Sequence, residues 1–538
     1  MDTEWKTNPI PAPPSKKFRP ANPELEPLND YKLDPGDEWY NKFFPNRGED
    51  DRLPFPVDTR EVMSRAKATG KMDMMDVGEV CYEWKYGFRM GVDMNEYRHT
   101  VNENNASVYE EHSGPQVMDA LCSWWKKGIV KDPRKERPEG VTVIKLTCRE
   151  KGPGRVRIIM DLSAPRGKSI NDYIKGEEFP AVMGGMEGVL KLFNFMGRKG
   201  KFSKNDWGDA YKHFPMRPSD QNCQWFLFAG RYWCEKCATF GGKSSPGIFC
   251  RGARILVDIV VLGLGAPRVA ATMHLDDLVM GGRWLERLHT EYRSLCARVG
   301  VVLQEEDPKL EKAFGPSTRG TCLGVWFDTE RWEWKLEDSR VAKYYHGIDG
   351  MLGKRMASVA EIKSVVGKIM WIVPLFEKSR FYIDHLLRIA NASDKLWEEV
   401  EITEGARRQL GWWKVALSFL RRGQRIPRRM GASDPPGGAL VADTDAAGGS
   451  GQDERKGIGA KLGGAWAHYR WPKLIRSTKA CPSCGVQWKF KMSMLELVGR
   501  PAQINMIRFN YFGCGRLADD GGGVRQGGRR QSSGHKDR

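Results

Sequence analysis

Two aspartates stand side by side at Asp276 and Asp277 in MHLDDLVMGG, and a third, Asp206, stands in KNDWGDAYKHFPM. An adjacent Asp pair alone most often marks a turn or a helix cap. Here the flanks are short apolar runs, residues 271–275 and 278–280, which place the pair at the tip of a hairpin between buried strands. Desolvating two neighbouring anions is costly unless a cation is bound. Successive strand residues point to opposite faces, so both can serve one site only near a turn. Asp206 likewise ends a strand, before a turn containing Gly208. Three carboxylates on neighbouring strand ends suit two Mg²⁺ ions, with Mn²⁺ as a substitute, because these ions prefer hard oxygen ligands. Metals about 3.5–4 Å apart can activate an attacking 3′-hydroxyl and stabilise a leaving pyrophosphate. The expected chemistry is phosphoryl transfer.

Other segments must position these groups. In TFGGKSSPGIF, Ser245 is a good N-cap and Pro246 suits the first turn of a helix. Ile248, Phe249, Leu256, Ile259 and Val260 supply its apolar face. Upstream, VTVIKLTCREKGPGRVRIIMDLS reads as two strands around a Gly-Pro-Gly turn, and EEHSGPQVMDALCSWWKKGIV has helical spacing. Strands and helices alternate over residues 201–334, and helical patterns return over 358–417. A run of Arg421, Arg422, Arg425, Arg428 and Arg429 follows, suited either to solvent or to a phosphate backbone.

Taken together and in this order, these segments resemble the palm motifs of reverse transcriptases, over residues 110–430. The resemblance implies a right-hand polymerase of α+β class, with metal ligands and catalytic residues Asp206, Asp276 and Asp277. It places Tyr211, five residues after Asp206, beneath the sugar of the incoming nucleotide, where it excludes a 2′-hydroxyl. Gly241, Ser245 and Pro246 are similar to the loop and helix start that contact nucleotide and template. Arg157 in RVRIIMDLS looks like the fingers arginine that holds the triphosphate, as a guanidinium suits phosphate. Lys312 resembles the lysine that approaches pyrophosphate, with Lys309 nearby, and Leu323 and Gly324 resemble the primer grip. His274 stands where the family usually has tyrosine and is assigned no role. Downstream, ALVADTDAAGG and MSMLELVG resemble the start of a ribonuclease H domain, with Asp445 and Glu496 as its first two metal ligands. With GWWKVAL ahead of them, the order looks most like DIRS-like retrotransposons. The Gly-rich, basic tail offers no strand or helix for further carboxylates, so little or no ribonuclease H activity is expected.

The implied organisation is an arm with partial order over 1–105, fingers over 106–200, and a palm with an antiparallel sheet over 201–335. A helical thumb and connection over 336–430, a partial α/β ribonuclease H-like unit over 431–514 and a disordered tail over 515–538 complete it. At 538 residues the chain exceeds the ~250–300 at which a single core stops growing. The net charge of +18 points to a polyanion such as a primed RNA or DNA template, and dNTPs are the expected small substrates. The longest apolar stretch, residues 255–271, carries Asp258, Pro267 and Arg268 and is a poor membrane span, so no membrane partner is expected. Without a cleavable signal peptide, and with twelve scattered cysteines, the expectation is an intracellular protein in a reducing compartment rather than a secreted one. Cys234 with Cys237 and Cys481 with Cys484 have the spacing of zinc ligands, but the first pair sits on the hairpin feeding TFGGKSS, and no zinc is expected. The main rival is a degenerate or domesticated element that binds nucleic acid without catalysis. An RNA-dependent RNA polymerase, which must accept the 2′-hydroxyl, fits Tyr211 less well.

Overall fold

Three helices open the fold: α1 (Asp37–Phe43), α2 (Thr59–Thr69) and α3 (Met74–Tyr86). The Asp58 carboxylate accepts the Arg60 and Glu61 amides to start α2, and Gly70, at φ 64°, ends it. Val62 and Ala66, then Val77, Val80 and Trp84, are buried at helical spacing in the main core. Within the segment expected as a partly ordered arm, residues 37–43, 59–69 and 74–86 thus form packed helices. Each helix buries only a narrow stripe between charged residues, so local periodicity is weak and tertiary packing decides. In the computed structural model the described residues are 28–47, 53–110, 113–152, 155–265, 268–376 and 379–427, with two short strands at 440–441 and 467–468. No described helix is long and apolar enough to cross a membrane.

Next come α4 (Ser113–Lys126) and the antiparallel hairpin β1 (Lys145–Gly152) and β2 (Arg155–Asp161), in which Arg149 pairs with Arg157. They lead to α5 (Gly185–Met196), β3 (Phe202–Asn205), the hairpin β4 (Trp225–Phe228) and β5 (Arg231–Cys234), and α6 (Ser245–Leu264). The strands β6 (Val269–His274) and β7 (Asp277–Gly282), then α7 (Leu285–Val299) and β8 (Phe314–Ser317), complete the central part. Its antiparallel sheet has the order β6-β7-β3-β8.

Strand alternation puts a different core on each side of this sheet. Val269, Leu278 and Met280 join a core with residues of α6 and α7, while Ala270, Val279 and Phe202 join another with residues of α5. The second core continues through β9 (Arg319–Cys322), β10 (Val325–Asp328), β11 (Glu333–Leu336), α8 (Asp338–Leu352), β12 (Met356–Ser358), α9 (Val359–Ile372), α10 (Asp384–Ala390), β13 (Glu399–Glu401) and α11 (Glu404–Phe419). β14 (Gln424–Arg425) closes a second antiparallel sheet of order β14-β11-β10-β9. A capping box between Ser358 and Glu361 starts α9.

The chain divides into two units, residues Met1–Gly437 and Gly438–Arg538. The described part of the second is one antiparallel pair, Leu440–Val441 against Ala467–His468. Asp445, Glu496, the Cys481 and Cys484 pair, Arg428, Arg429 and the basic tail lie outside the described residues.

Candidate active site

The β6–β7 connection is a two-residue turn, Leu275 and Asp276, closed by the His274–Asp277 pair. Leu275 adopts φ 50°, a conformation that L residues rarely take and that costs on the order of 1–3 kcal/mol. Asp206 directly follows β3, the neighbour of β7, and its carbonyl accepts the Gln304 N–H at 2.8 Å. Residues seventy apart in sequence, Asp206 and Asp276, thereby meet at one end of one sheet. Burial, followed by the negative charges of Asp276 and Asp277, pushes the Asp206 carboxyl up to about 7. Burial and then Asp277 also raise Asp276. Among the described residues, neither Asp206 nor Asp276 has an ion-pair partner.

Asp277 differs. Its Oδ1 lies 2.8 Å from the Nζ of Lys204, a side chain only 6% exposed, which also donates to the Glu311 carbonyl at 3.1 Å. Lys204 and Phe202 share one face of β3, and Asp277 and Val279 share the corresponding face of β7, so the pair lies toward the second core. There they line a cleft of about 680 Å³ with His274, Leu323, Arg340 and Trp371. Among the described residues, no three His, Cys, Asp or Glu side chains are grouped closely enough to hold a metal ion. The donor set still suits a hard cation at Asp206 and Asp276, because the Asp276 charge raises the Asp206 carboxyl's affinity for a proton and Mg²⁺ would relieve that repulsion.

On the Asp276 side, the turn Ala210–His213 presents Tyr211. Its ring packs 5.0 Å from Phe240 and 5.8 Å from Phe249, and burial followed by the Asp276 charge pushes its hydroxyl up to about 12. Arg157 is exposed on β2, with its guanidinium carbon 5.1 Å from the Phe240 ring centre, and its charge lowers the Asp276 carboxyl. Lys312 is exposed, and its charge opposes the rise at Asp206. The segment carrying Lys309 and Lys312 is made of turns and bends rather than helix.

Gly241 has φ 108°, and a Cβ there would sit 2.1 Å from the Met160 carbonyl oxygen, so the loop touches β2 through a position that only glycine can occupy. Asn171 holds the loop, donating to the Gly241 carbonyl at 2.8 Å and accepting the Lys243 N–H at 2.9 Å. The expected N-cap at Ser245 is corrected by one position. Ser244 already has helical φ and ψ, without a side-chain cap, and Ser245 and Pro246 lie in the first turn.

Leu323 and Gly324 form the β9–β10 turn, at φ 51° and 75°. The Leu323 carbonyl accepts Trp371 Nε1 at 3.1 Å, and the Trp371 ring packs 5.2 Å from His274. Cys234 and Cys237 are buried thiols that burial pushes up to about 12.

Known proteins were compared with this chain. No protein-family profile and no curated protein matches it. Among solved structures it is similar to a foamy viral protease-reverse transcriptase bound to dsDNA, with a TM-score of 0.44 and 12% identity over 73% of this chain. The chain spans 65% of that protein. A second such structure with dsDNA gives a TM-score of 0.42 at 14% identity, covering 71% of this chain and 75% of the other. A third, with an RNA/DNA hybrid, gives 0.43 at 13%, covering 72% and 50%.

The structure brings Asp206, Asp276, Tyr211 and Arg157 into one electrostatic neighbourhood, places Lys312 at its edge, and sets Leu323 and Gly324 on the cleft that Asp277 faces. Sequence reasoning missed Lys204, Asn171, Phe240 and Trp371. A lysine two residues before a candidate ligand, at the same strand parity as Phe202, was the available signal for Lys204.

Proposed function

We propose that this chain is an RNA-directed DNA polymerase, a reverse transcriptase with right-hand architecture that adds dNTPs to a primer 3′-hydroxyl. The observation that carries the reading is the meeting of Asp206 and Asp276 at one sheet end, without an ion-pair partner among the described residues, and overlooked by Tyr211 and Arg157. Asp206, Asp276 and Asp277 are the residues that would hold two Mg²⁺ ions, or Mn²⁺ in their place. When bound, these ions supply charge stabilisation for in-line phosphoryl transfer.

The chain's own residues do the rest. Arg157, whose charge reaches Asp276, and Lys312, whose charge reaches Asp206, bind and orient the triphosphate. Tyr211, wedged between Phe240 and Phe249, is the wall against which the sugar lies. Lys204 holds Asp277 in place. Across the cleft, α8 and α9 carry Arg340, Lys343, Lys363 and Lys368, none with an ion-pair partner among the described residues. Burial and the nearby Lys343 charge lower the Lys368 pKa, as expected where like charges gather. This cationic face suits the backbone of a primed RNA or DNA template, bound by charge and shape. Asp445 and Glu496 remain candidate ribonuclease H remnants, and a DIRS-like retrotransposon origin rests on the motif order.

A second reading, a remnant that binds nucleic acid without catalysis, is favoured by one observation: Lys204 occupies Asp277. Primer extension on RNA and on DNA templates with Mg²⁺ decides between them. Template-dependent DNA synthesis supports the polymerase, and tight primer–template binding without synthesis supports the remnant.

A further inference from the structure

Lys212 and Glu235 form an ion pair whose side chains are 3% and 1% exposed. The local backbone does not need their charges. Lys212 donates its N–H to the Asp209 carbonyl at 2.7 Å, and Gln224 satisfies the Glu235 backbone, accepting its N–H at 3.2 Å and donating Nε2 to its carbonyl at 2.7 Å. A buried ion pair adds little or nothing to stability over apolar residues of similar volume, so stability alone does not account for it. What the pair does fix is a position. The Lys212 ammonium lies 4.6 Å from the Trp124 ring centre and 5.7 Å from that of Phe240. Phe240 is the ring that packs 5.0 Å from Tyr211 and that Arg157 reaches at 5.1 Å. Two cations therefore reach one aromatic ring, Arg157 exposed and Lys212 buried, and Lys212 is also the chain neighbour of Tyr211.

We propose that Phe240, fixed by the buried Lys212–Glu235 pair, is a specificity-determining wall that works with Tyr211 to select the sugar of the incoming nucleotide. Lys212 and Glu235 are positioning residues. The selectivity claim rests on the polymerase reading above. The positional claim does not.

The test compares wild type with Lys212→Met/Glu235→Leu, which removes both charges at similar volume, and with Glu235→Asp, which keeps the charge but shortens its reach. Each protein carries a fluorotyrosine at position 211. Melting temperature, deoxynucleotide and ribonucleotide incorporation, and the fluorine resonance are measured. The double variant should melt near wild type, retain DNA synthesis within a few-fold, lose roughly tenfold in deoxy-over-ribo preference, and show a displaced resonance. Glu235→Asp should change the same two properties in the same direction, which keeps the test open if the double variant does not fold. Wild-type preference together with an unmoved resonance in either folded variant overturns the proposal. If wild type makes no DNA, the polymerase reading fails. The resonance still decides whether the pair positions the Phe240 ring against Tyr211: displaced supports it, unmoved sinks it.

Discussion

Lys204 and Asp277 form a 2.8 Å ion pair in which the lysine is almost wholly enclosed and the aspartate a quarter exposed. The pair gives Asp277 an ion-pair partner, which Asp276, its neighbour in sequence, lacks among the described residues. Lys204→Met should leave Asp277 facing Asp206 and Asp276 without compensation. Because Asp277 keeps some solvent, the expected loss of stability is roughly 2 kcal/mol, below that of a fully buried pair. Lys204→Met/Asp277→Leu should recover stability in chemical denaturation but not DNA synthesis. Recovery of both would make the pair purely structural.

Asp276→Asn should lower the rate of DNA synthesis by roughly 10²-fold or more, the order of losing a central electrostatic contribution. The same change removes one of the charges that hold Asp206 high, so the protein should become more stable, by roughly 1 kcal/mol. A single preparation read by primer extension and by thermal melting checks both. Unchanged activity would falsify the assignment.

Tyr211→Val should raise ribonucleotide incorporation far more than it alters deoxynucleotide use, since the proposed exclusion is steric. The ratio of kcat/KM for the two nucleotide types is the quantity to measure. An equal loss for both would make the ring a packing residue against Phe240 and Phe249.

Gly241→Ala should cost more than the usual surface glycine, because the added Cβ meets a backbone oxygen at 2.1 Å and the φ of 108° is strained for alanine. The loop must move off Met160, which strains the Asn171 bonds. KM for nucleotide should rise roughly 10-fold or more, with primer–template affinity unchanged, if binding follows the loop as proposed.

His213 is buried between Phe55 and Trp207 and accepts the Val302 N–H through Nε2 at 3.1 Å. Burial lowers its pKa from the ordinary 6.5 to about 4. The folded state therefore binds the proton less readily than the unfolded chain. The stability it permits is present above about 6.5 and is lost as pH falls toward about 4, by roughly 3 kcal/mol in all. His213→Gln, which keeps an acceptor without a comparable charge, should flatten this stretch of the stability–pH curve. An unchanged slope would assign acid sensitivity to other groups.

Local chemistry in the sequence determined a good deal of this protein. Apolar runs on either side of Asp276 and Asp277 fixed a hairpin with carboxylates at its tip, and the two strand patterns of VTVIKLTCRE and RVRIIMD fixed the β1–β2 hairpin that carries Arg157. Ser-Pro and an apolar face fixed a helix after the Gly241 loop. Those features are set within a few residues, by strand parity, turn chemistry and helical spacing. Only the tertiary structure decided that α2 and α3 pack into the main core, since their buried stripes are too narrow to stand out locally. It alone decided the pairing of Lys204 with Asp277, which depends on the register that sets Lys204 opposite Val279. The contacts of Trp371 with His274 and Leu323, and of Lys212 with Glu235, are likewise set by how distant elements pack, because the partners of a buried group are chosen by the register and layering of strands and helices far apart in the chain.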